Sequence, residues 1–255
     1  MNSNKMTARI ADTSQRKAAK IAGLAYLLII VTSTLLMVFG STKLIVEGND
    51  AATFNNFMAN ELLIRITAAF ELIMYASVVM LSIALYAILK TVNKNLALFA
   101  LCCRLIEVIM GCLSVLSSLV VLQLLNAENY SAVFKAEQLQ ALVGLFLDVQ
   151  SATISLLIVF ISLGTIVFCY LFFKSKYIPR ILAVFGIFSF LLALIKAFLV
   201  ILFPNIPAMI QLVFHLPGLL FEVIIGLWLL FKGVSVEQWE KRALESACIY
   251  PMPKG

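Results

Sequence analysis

Residues 181–203 read ILAVFGIFSFLLALIKAFLVILF, a run in which Lys196 is the only charged side chain. An α-helix needs about 20 predominantly apolar residues to cross the hydrocarbon core of a bilayer. Pro179 precedes the run and Pro204 follows it, at positions where proline begins or ends a helix without breaking one. The run therefore predicts a transmembrane helix.

Five further blocks of the chain are also long and predominantly apolar. Of all residues 63% are hydrophobic and 13% are charged, whereas soluble domains average about 25% charged residues. The short alternating segments that build a membrane β-barrel are absent from the sequence. The sequence therefore predicts an all-α integral membrane bundle of six transmembrane helices. Besides 181–203, the predicted spans are 21–40, 63–89, 97–125, 141–173 and 212–231.

The distribution of Lys and Arg predicts the orientation of these helices. Of the 19 basic residues, fourteen lie in the N-terminal arm, the second and fourth connections and the tail, and three lie in the opposite connections. Positively charged segments stay in the cytoplasm, so we expect both termini there. The first span is too long for the apolar region of a signal peptide and should be retained. We expect a basic cytoplasmic arm over 1–20, a transmembrane domain over 21–232 and a cytoplasmic tail over 233–255.

Apart from Arg65 at the start of its span, seven acidic, basic or histidine side chains fall within the predicted spans, where a charge is costly and marks a candidate functional site. Glu222 is the most secure, because ten residues of its block precede it and nine follow it. The blocks around Glu71, Arg104, Glu107 and Asp148 are long enough to place these groups at an interface, so the sequence leaves their burial open. The residues of the candidate polar cavity are Glu71, Arg104, Glu107, Asp148, Lys196, His215 and Glu222.

The short, proline-containing connection between the fifth and sixth spans predicts that they are antiparallel neighbours. At a rise of about 1.5 Å per residue, Lys196 lies about 10 Å and Glu222 about 15 Å below that connection. The long Lys side chain can bridge this difference, so we predict a Lys196–Glu222 ion pair with His215 above it. Arg104 and Glu107 are three residues apart and share a helix face.

Carboxylates outnumber the cations inside the spans. Four carboxylates accompany Arg104, Lys196 and one histidine. Burial in a low-dielectric interior favours the protonated form of a carboxyl group. We therefore expect one carboxylate to bind a proton, and Glu222 is the candidate.

Small and hydroxyl residues recur at helical spacing on every predicted span. Ser114 and Ser118, for example, continue the face of Arg104 and Glu107. Such stripes fit either helix packing in a membrane or the wall of a hydrated cavity, and the sequence leaves both open. A Glu-Val-Ile sequence occurs at both Glu107 and Glu222, which would imply two inverted three-helix halves, a device of transporters.

Sequence patterns of catalytic and metal sites are absent. The single histidine excludes a three-histidine zinc site, and neither HExxH nor GxSxG nor a glycine-rich phosphate loop occurs. The five cysteines have no CxxC or Cys/His spacing. No basic cluster with interleaved aromatic residues suggests a nucleic-acid surface. We therefore expect no catalytic residue, no metal, no cofactor and no nucleic-acid partner.

Several stretches of the chain resemble one bacterial membrane family. In order they are RKAAKIAGLAYL from residue 16, ALYAILKTVNKNLAL from 84, RLIE from 104, KYIPRIL from 176, PGLLFE from 217 and LWLLFKGV from 227. Together they are similar to the family called domain of unknown function 4386. The resemblance covers about residues 16–234 and implies a multi-pass protein of the bacterial inner membrane. It implies no activity and no functional residues.

Two functional hypotheses follow. The first is a transporter or binding protein for a small solute or ion, in which Glu222 binds a proton and Lys196 is its counter-charge. The alternative is a non-catalytic interaction or sensor protein that contacts lipid or a partner through the basic arm or the outer segment, where Asp50 should cap a short amphipathic helix. An intramembrane enzyme is the least favoured. The expected partners are the lipid bilayer and a small solute or proton, and the oligomeric state is left open.

Overall fold

The computed structural model describes residues 3–46, 49–126, 135–203, 208–235 and 237–238. Most of the predicted tail, including Cys248, and the two prolines between the last two spans, Pro204 and Pro207, lie outside the described residues. Within them the chain is helical and contains no strand.

Seven α-helices and one short 3-10 helix make up the described part of the chain. Six of the seven are long and apolar enough to cross a membrane, which confirms the predicted all-α bundle of six spans. Helix α2 has ten residues and is too short to span. The helices are α1 Ser3–Phe39, the 3-10 helix Ser41–Leu44, α2 Asp50–Ala59, α3 Glu61–Leu89, α4 Lys94–Asn126, α5 Ala136–Ser175, α6 Arg180–Leu202 and α7 Ala208–Phe231.

Local chemistry determines where the helices begin and end. Asn93 Oδ1 accepts a hydrogen bond from the backbone N–H of Leu96 (3.0 Å) and so caps the start of α4. Lys176 adopts the left-handed conformation, with φ of 61°, that ends α5. Pro179 precedes α6, where its missing N–H costs no helical hydrogen bond. The α5–α6 connection is therefore a tight turn over residues 176–179.

The beginnings of three helices differ from the sequence prediction. α1 begins at Ser3, so most of the predicted basic arm continues the first helix. α5 has 40 residues and is about 60 Å long, so it extends beyond a hydrocarbon core of about 30 Å. The cap of α2 is Asn49 rather than Asp50, because Asn49 Oδ1 accepts a hydrogen bond from Ala52 N (2.9 Å) and Asp50 is the first helical residue.

The six spans form a closed ring in which each packs mainly against two others. The order around the ring is α1, α3, α4, α5, α6, α7 and back to α1. The largest buried cluster draws side chains from all six spans. Large apolar side chains cover the outside of the ring, as Ile181 does at 85% exposure, which suits a surface solvated by lipid.

The two ends of the ring differ in charge and in covering. The basic end comprises residues 15–20, the α3–α4 and α5–α6 connections and the end of α7, and it bears most of the Lys and Arg residues. At the opposite, far end, α2 packs across the bundle, where Phe57 joins a buried cluster with Ile64 of α3, Leu122 of α4 and Val143 of α5. That the basic end faces the cytoplasm stays a prediction.

Candidate functional site

A buried ion pair lies on α4. Arg104 Nη1 and Glu107 Oε2 are 2.8 Å apart, and the two side chains are 4% and 3% exposed. The two atoms lack the alignment of a hydrogen bond, so their attraction is electrostatic. The three-residue spacing brings both groups to one helix face, and the structure buries both, a point that the sequence left open.

Glu222 lies on α7, which is opposite α4 in the ring, and is within electrostatic range of this ion pair. It is partly buried and interacts electrostatically with Arg104 and Glu107. Arg104 is ten residues from the start of α4 at Lys94, and Glu222 is nine residues from the end of α7 at Phe231. At about 1.5 Å per residue both lie about 14–15 Å from the basic end, near the middle of a hydrocarbon core of about 30 Å.

Two buried tyrosines flank the three charged groups. Tyr26 of α1 interacts electrostatically with Arg104 and Glu222, and Tyr75 of α3 interacts with Glu107. Both side chains are buried, at 5% exposure for Tyr26 and 7% for Tyr75. Two aromatic rings with polar hydroxyls therefore form part of the surroundings of the charged groups.

Glycines allow both tyrosines to approach the neighbouring helices. A Cβ added at Gly111 of α4 would overlap the ring of Tyr75, and one added at Gly226 of α7 would lie 2.8 Å from Cβ of Tyr26. Close approach of helices through small residues is typical of membrane bundles. Each glycine follows a carboxylate of the site by four residues, so the same helix face presents both the charge and the tyrosine contact.

Packing is tight beside Arg104 and loose beside Glu222. A Cβ on Gly164 of α5 would lie 3.1 Å from Cγ and 3.2 Å from Cδ of Arg104, so the arginine stem lies directly on this glycine. Gly218, one turn from Glu222 on α7, is buried, yet an added Cβ there would meet no atom within 4 Å. The packing around Gly218, one turn from Glu222 in the direction of the far end, is therefore loose.

The predicted Lys196–Glu222 ion pair is not formed by these two described side chains, and Glu222 interacts with Arg104 instead. The prediction used depth along the helices, which does not determine how a helix is rotated. Phe221 faces α6, where its ring makes an edge contact with Phe190, and Glu222 is turned about 100° from it. Lys196 is partly buried and acts electrostatically on the exposed His215.

The other two candidates lie apart from the central group. Glu71 is partly buried on α3, one turn from Tyr75, with which it interacts electrostatically. Asp148 on α5 is exposed. Of the seven predicted groups, the structure therefore brings together Arg104, Glu107 and Glu222, which we call the central triad.

Hydroxyl residues of the polar stripes bond mainly to their own helices. Ser82 Oγ donates to the carbonyl of Val78 (2.6 Å), and Ser162 and Ser189 donate to carbonyls four residues earlier at 2.7 and 2.8 Å. A serine bonded in this way presents little polarity to its surroundings. These serines therefore fit helix packing better than the wall of a hydrated cavity.

The order of helices in the ring does not fit the suggested inverted repeat. Such a repeat would relate α1, α3 and α4 to α5, α6 and α7 by a two-fold axis in the membrane plane. That axis reverses the sense in which helices follow one another around the ring. Here all six follow in one sense, so the resemblance between the sequences at Glu107 and Glu222 has another origin.

The central triad has one positive and two negative side chains when all are ionised. A guanidinium stays charged in proteins, and a net charge in the middle of a membrane is costly. A proton or a small cationic ligand would balance the triad. In the described residues no group of three His, Cys, Asp or Glu side chains is placed to hold a metal ion.

Comparison with curated proteins found no match, and comparison with solved structures found none either. The sequence does match the family described as "Domain of unknown function (DUF4386)" over residues 21–233, which include most of the first span, all of the other five and the central triad. This chain, a six-span membrane protein, therefore belongs to the DUF4386 family.

Proposed function

We propose that the protein binds a proton at the central triad and uses it in the transport of a small solute or ion. Glu222 and Glu107 share the proton, and Arg104 is their fixed counter-charge. This replaces Lys196 in that role, because Arg104 is the cation that interacts with both carboxylates.

The single observation that carries this proposal is one buried guanidinium that pairs with Glu107 and lies within electrostatic range of a second carboxylate, Glu222. A one-to-one ion pair would be electrically complete and would need no ligand, whereas the triad is complete only with one added positive charge. A structural ion pair in a membrane gains nothing from a second, opposed carboxylate on another helix. A proton-binding site does benefit from a second carboxylate, because the two carboxylates can exchange the proton with a cationic or hydrogen-bonding solute.

Loose packing around Gly218 supports access to the triad from the far end. Gly218 lies one turn from Glu222 toward that end, and a Cβ added there would meet no atom within 4 Å. A solute that enters there would meet one partly exposed carboxylate first and the buried ion pair beyond it. By the distribution of positive charge, the basic end faces the cytoplasm of a bacterial inner membrane and this entrance faces outward.

The alternative role, a non-catalytic interaction or sensor protein, would use the outer segment or the basic arm. The apolar side chain of Phe57 on α2 is 2% exposed and packs against the bundle. That leaves α2 with less apolar surface for a partner, so we favour transport.

Proton flux into proteoliposomes tests the proposal. A potassium diffusion potential would drive protons inward, and a pH-sensitive dye inside the vesicles would report them. We expect the protein to raise the flux above that of empty vesicles and Glu222→Gln to abolish the increase. Glu137→Gln is the matched control, because Glu137 is exposed in the first turn of α5 and far from the triad.

Two results would contradict the proposal. One is a wild-type flux equal to that of empty vesicles. The other is a flux that Glu222→Gln and Glu137→Gln change to the same extent.

A further inference from the structure

A cavity of about 560 Å³ opens at the basic end, away from the central triad. It lies between the α5–α6 connection and the end of α7. Three cationic side chains, Lys176, Arg180 and Lys232, line it together with the aromatic side chains of Tyr177 and Trp228. A cavity of this size lies within the range of about 300–1,000 Å³ that is usual for small-molecule sites.

The positive lining continues beyond this cavity. A neighbouring cavity of about 370 Å³ shares Lys232 and adds Arg16 and Lys20 from α1. Among the described residues that line the two cavities, none is Asp or Glu. Lys176, Arg180 and Lys232 therefore share the first cavity without a described carboxylate in its lining, which is the electrostatic character of an anion site.

Aromatic rings hold two of the cations in place. The Arg180 guanidinium carbon lies 5.2 Å from the centroid of the Phe173 ring, and Lys232 Nζ lies 4.4 Å from that of Trp228. Contacts of this kind are attractive and restrict an otherwise flexible side chain. The two cations are thus ordered before any anion binds.

Hydrogen bonds fix the walls of the cavity relative to each other. Tyr177 is 2% exposed, and its hydroxyl lies 3.1 Å from Thr91 Oγ1 in the α3–α4 connection. The backbone N–H of Ser235, just beyond α7, donates to the carbonyl of Tyr177 (3.0 Å). The N-terminus of α6 also borders the cavity without a side-chain cap at Pro179, and its free N–H groups add to the positive field.

We propose that this cavity binds the phosphate group of an anionic phospholipid from the leaflet at the basic end. The cavity lies where the spans end, at the depth of lipid headgroups, and Trp228 in its wall is a residue type that favours the membrane interface. Basic pockets between transmembrane helices are suited to phosphate-bearing headgroups. An open cavity at this depth meets lipid continuously, which favours lipid over free phosphate.

Quenching of Trp228 by brominated lipids tests the proposal. The chain has two tryptophans, so Trp239→Phe leaves Trp228 as the only tryptophan, whose emission is excited selectively at the red edge of its absorption. The protein is placed in bilayers of equal parts phosphatidylcholine and phosphatidylglycerol, with bromine on the acyl chains of one lipid or the other. We expect brominated phosphatidylglycerol to quench Trp228 more strongly, which gives a relative binding constant above one.

Two double variants decide whether the cavity is responsible for the preference for phosphatidylglycerol. Lys176→Gln with Arg180→Gln should lower the relative binding constant by about fivefold for each cation removed, the factor that corresponds to about 1 kcal/mol. Lys90→Gln with Lys94→Gln removes the same charge from exposed positions at the same end and should leave the constant unchanged. Helical circular dichroism of both variants checks that they fold.

Several results would overturn the proposal. Equal quenching by the two lipids would do so, and so would an equal loss of preference in both double variants, which would indicate a diffuse surface charge. Abolition of the preference by inorganic phosphate would assign the site to free phosphate. A preference that appears only when the chain is shortened to end at Gln238 would make the protein's own tail the occupant.

Discussion

Removal of Arg104 is the perturbation to which the central triad should be most sensitive. The side chain is 4% exposed and is the cation that interacts with Glu107 and Glu222. Arg104→Met keeps the length and apolar stem of the side chain and removes only the guanidinium. Two carboxylates are then left in the interior without a counter-charge.

The magnitude follows from the burial of the group. Breaking a buried ion pair by removing one partner costs about 3–5 kcal/mol, and solvent screening is slight at this depth. For a chain of this size, about 1 kcal/mol shifts the melting temperature by roughly 2–4 °C. We therefore expect Arg104→Met to lower the melting temperature by roughly 6–20 °C.

Substitution of a single carboxylate of the triad should be less destabilising than removal of Arg104, because the two carboxylates share one cation. Glu107→Gln leaves Arg104 with Glu222 as its counter-charge, so we expect a loss of about 1 kcal/mol or less. Glu107→Gln with Glu222→Gln leaves the guanidinium unpaired and should cost about as much as Arg104→Met. The double substitution should therefore cost more than its two single substitutions added together.

Heat denaturation in detergent, followed by helical circular dichroism, measures these losses. Glu71→Gln is the control for an amide substitution at a partly buried carboxyl outside the triad. If Glu107→Gln alone is as destabilising as Arg104→Met, Arg104 and Glu107 form an isolated pair and a shared guanidinium is refuted. Additive losses from Glu107→Gln and Glu222→Gln would refute it as well.

Further expectations follow from packing and capping. Gly111→Ala should cost about 1–3 kcal/mol in heat denaturation, because the added methyl overlaps a buried ring; a stable Gly111→Ala protein would contradict the packing. Gly218→Ala, whose methyl meets no atom, should change stability by less than about 0.5 kcal/mol. Asn49→Ala should cost about 1 kcal/mol through the lost cap of α2, measured as faster amide exchange in that helix.

The fold was predictable because each membrane-spanning helix corresponds to a long apolar run in the sequence. Lipid cannot satisfy backbone polar groups, so each such run must be helical wherever it lies in the bundle. The start of α1 was missed because residues 3–20 are polar, and hydropathy reports where a helix enters lipid rather than where it begins. The cap of α2 was assigned one residue late, since Asn49 and Asp50 are both good caps.

The central triad was predictable only in part. The position of Glu222 in the middle of its run and the spacing of Arg104 and Glu107 were visible in the sequence. Which cation faces Glu222 depends on the rotation of α7 and on the order of helices around the ring, and neither follows from distances along the chain. The sequence gives only a weak indication of the tyrosine contacts. It is the glycine that follows each carboxylate by four residues, Gly111 after Glu107 and Gly226 after Glu222.

Infrared spectroscopy of the carboxyl groups tests the central claim most directly. If the triad holds one proton at neutral pH, the protein in lipid should show the C=O band of a buried carboxylic acid. Either Glu107→Gln or Glu222→Gln should remove the component of that band that belongs to the triad, because each leaves one carboxylate balanced by Arg104, whereas Glu71→Gln should remove at most a separate component of its own. A wild-type spectrum without the band, or a band that both triad substitutions leave unchanged, would contradict the account.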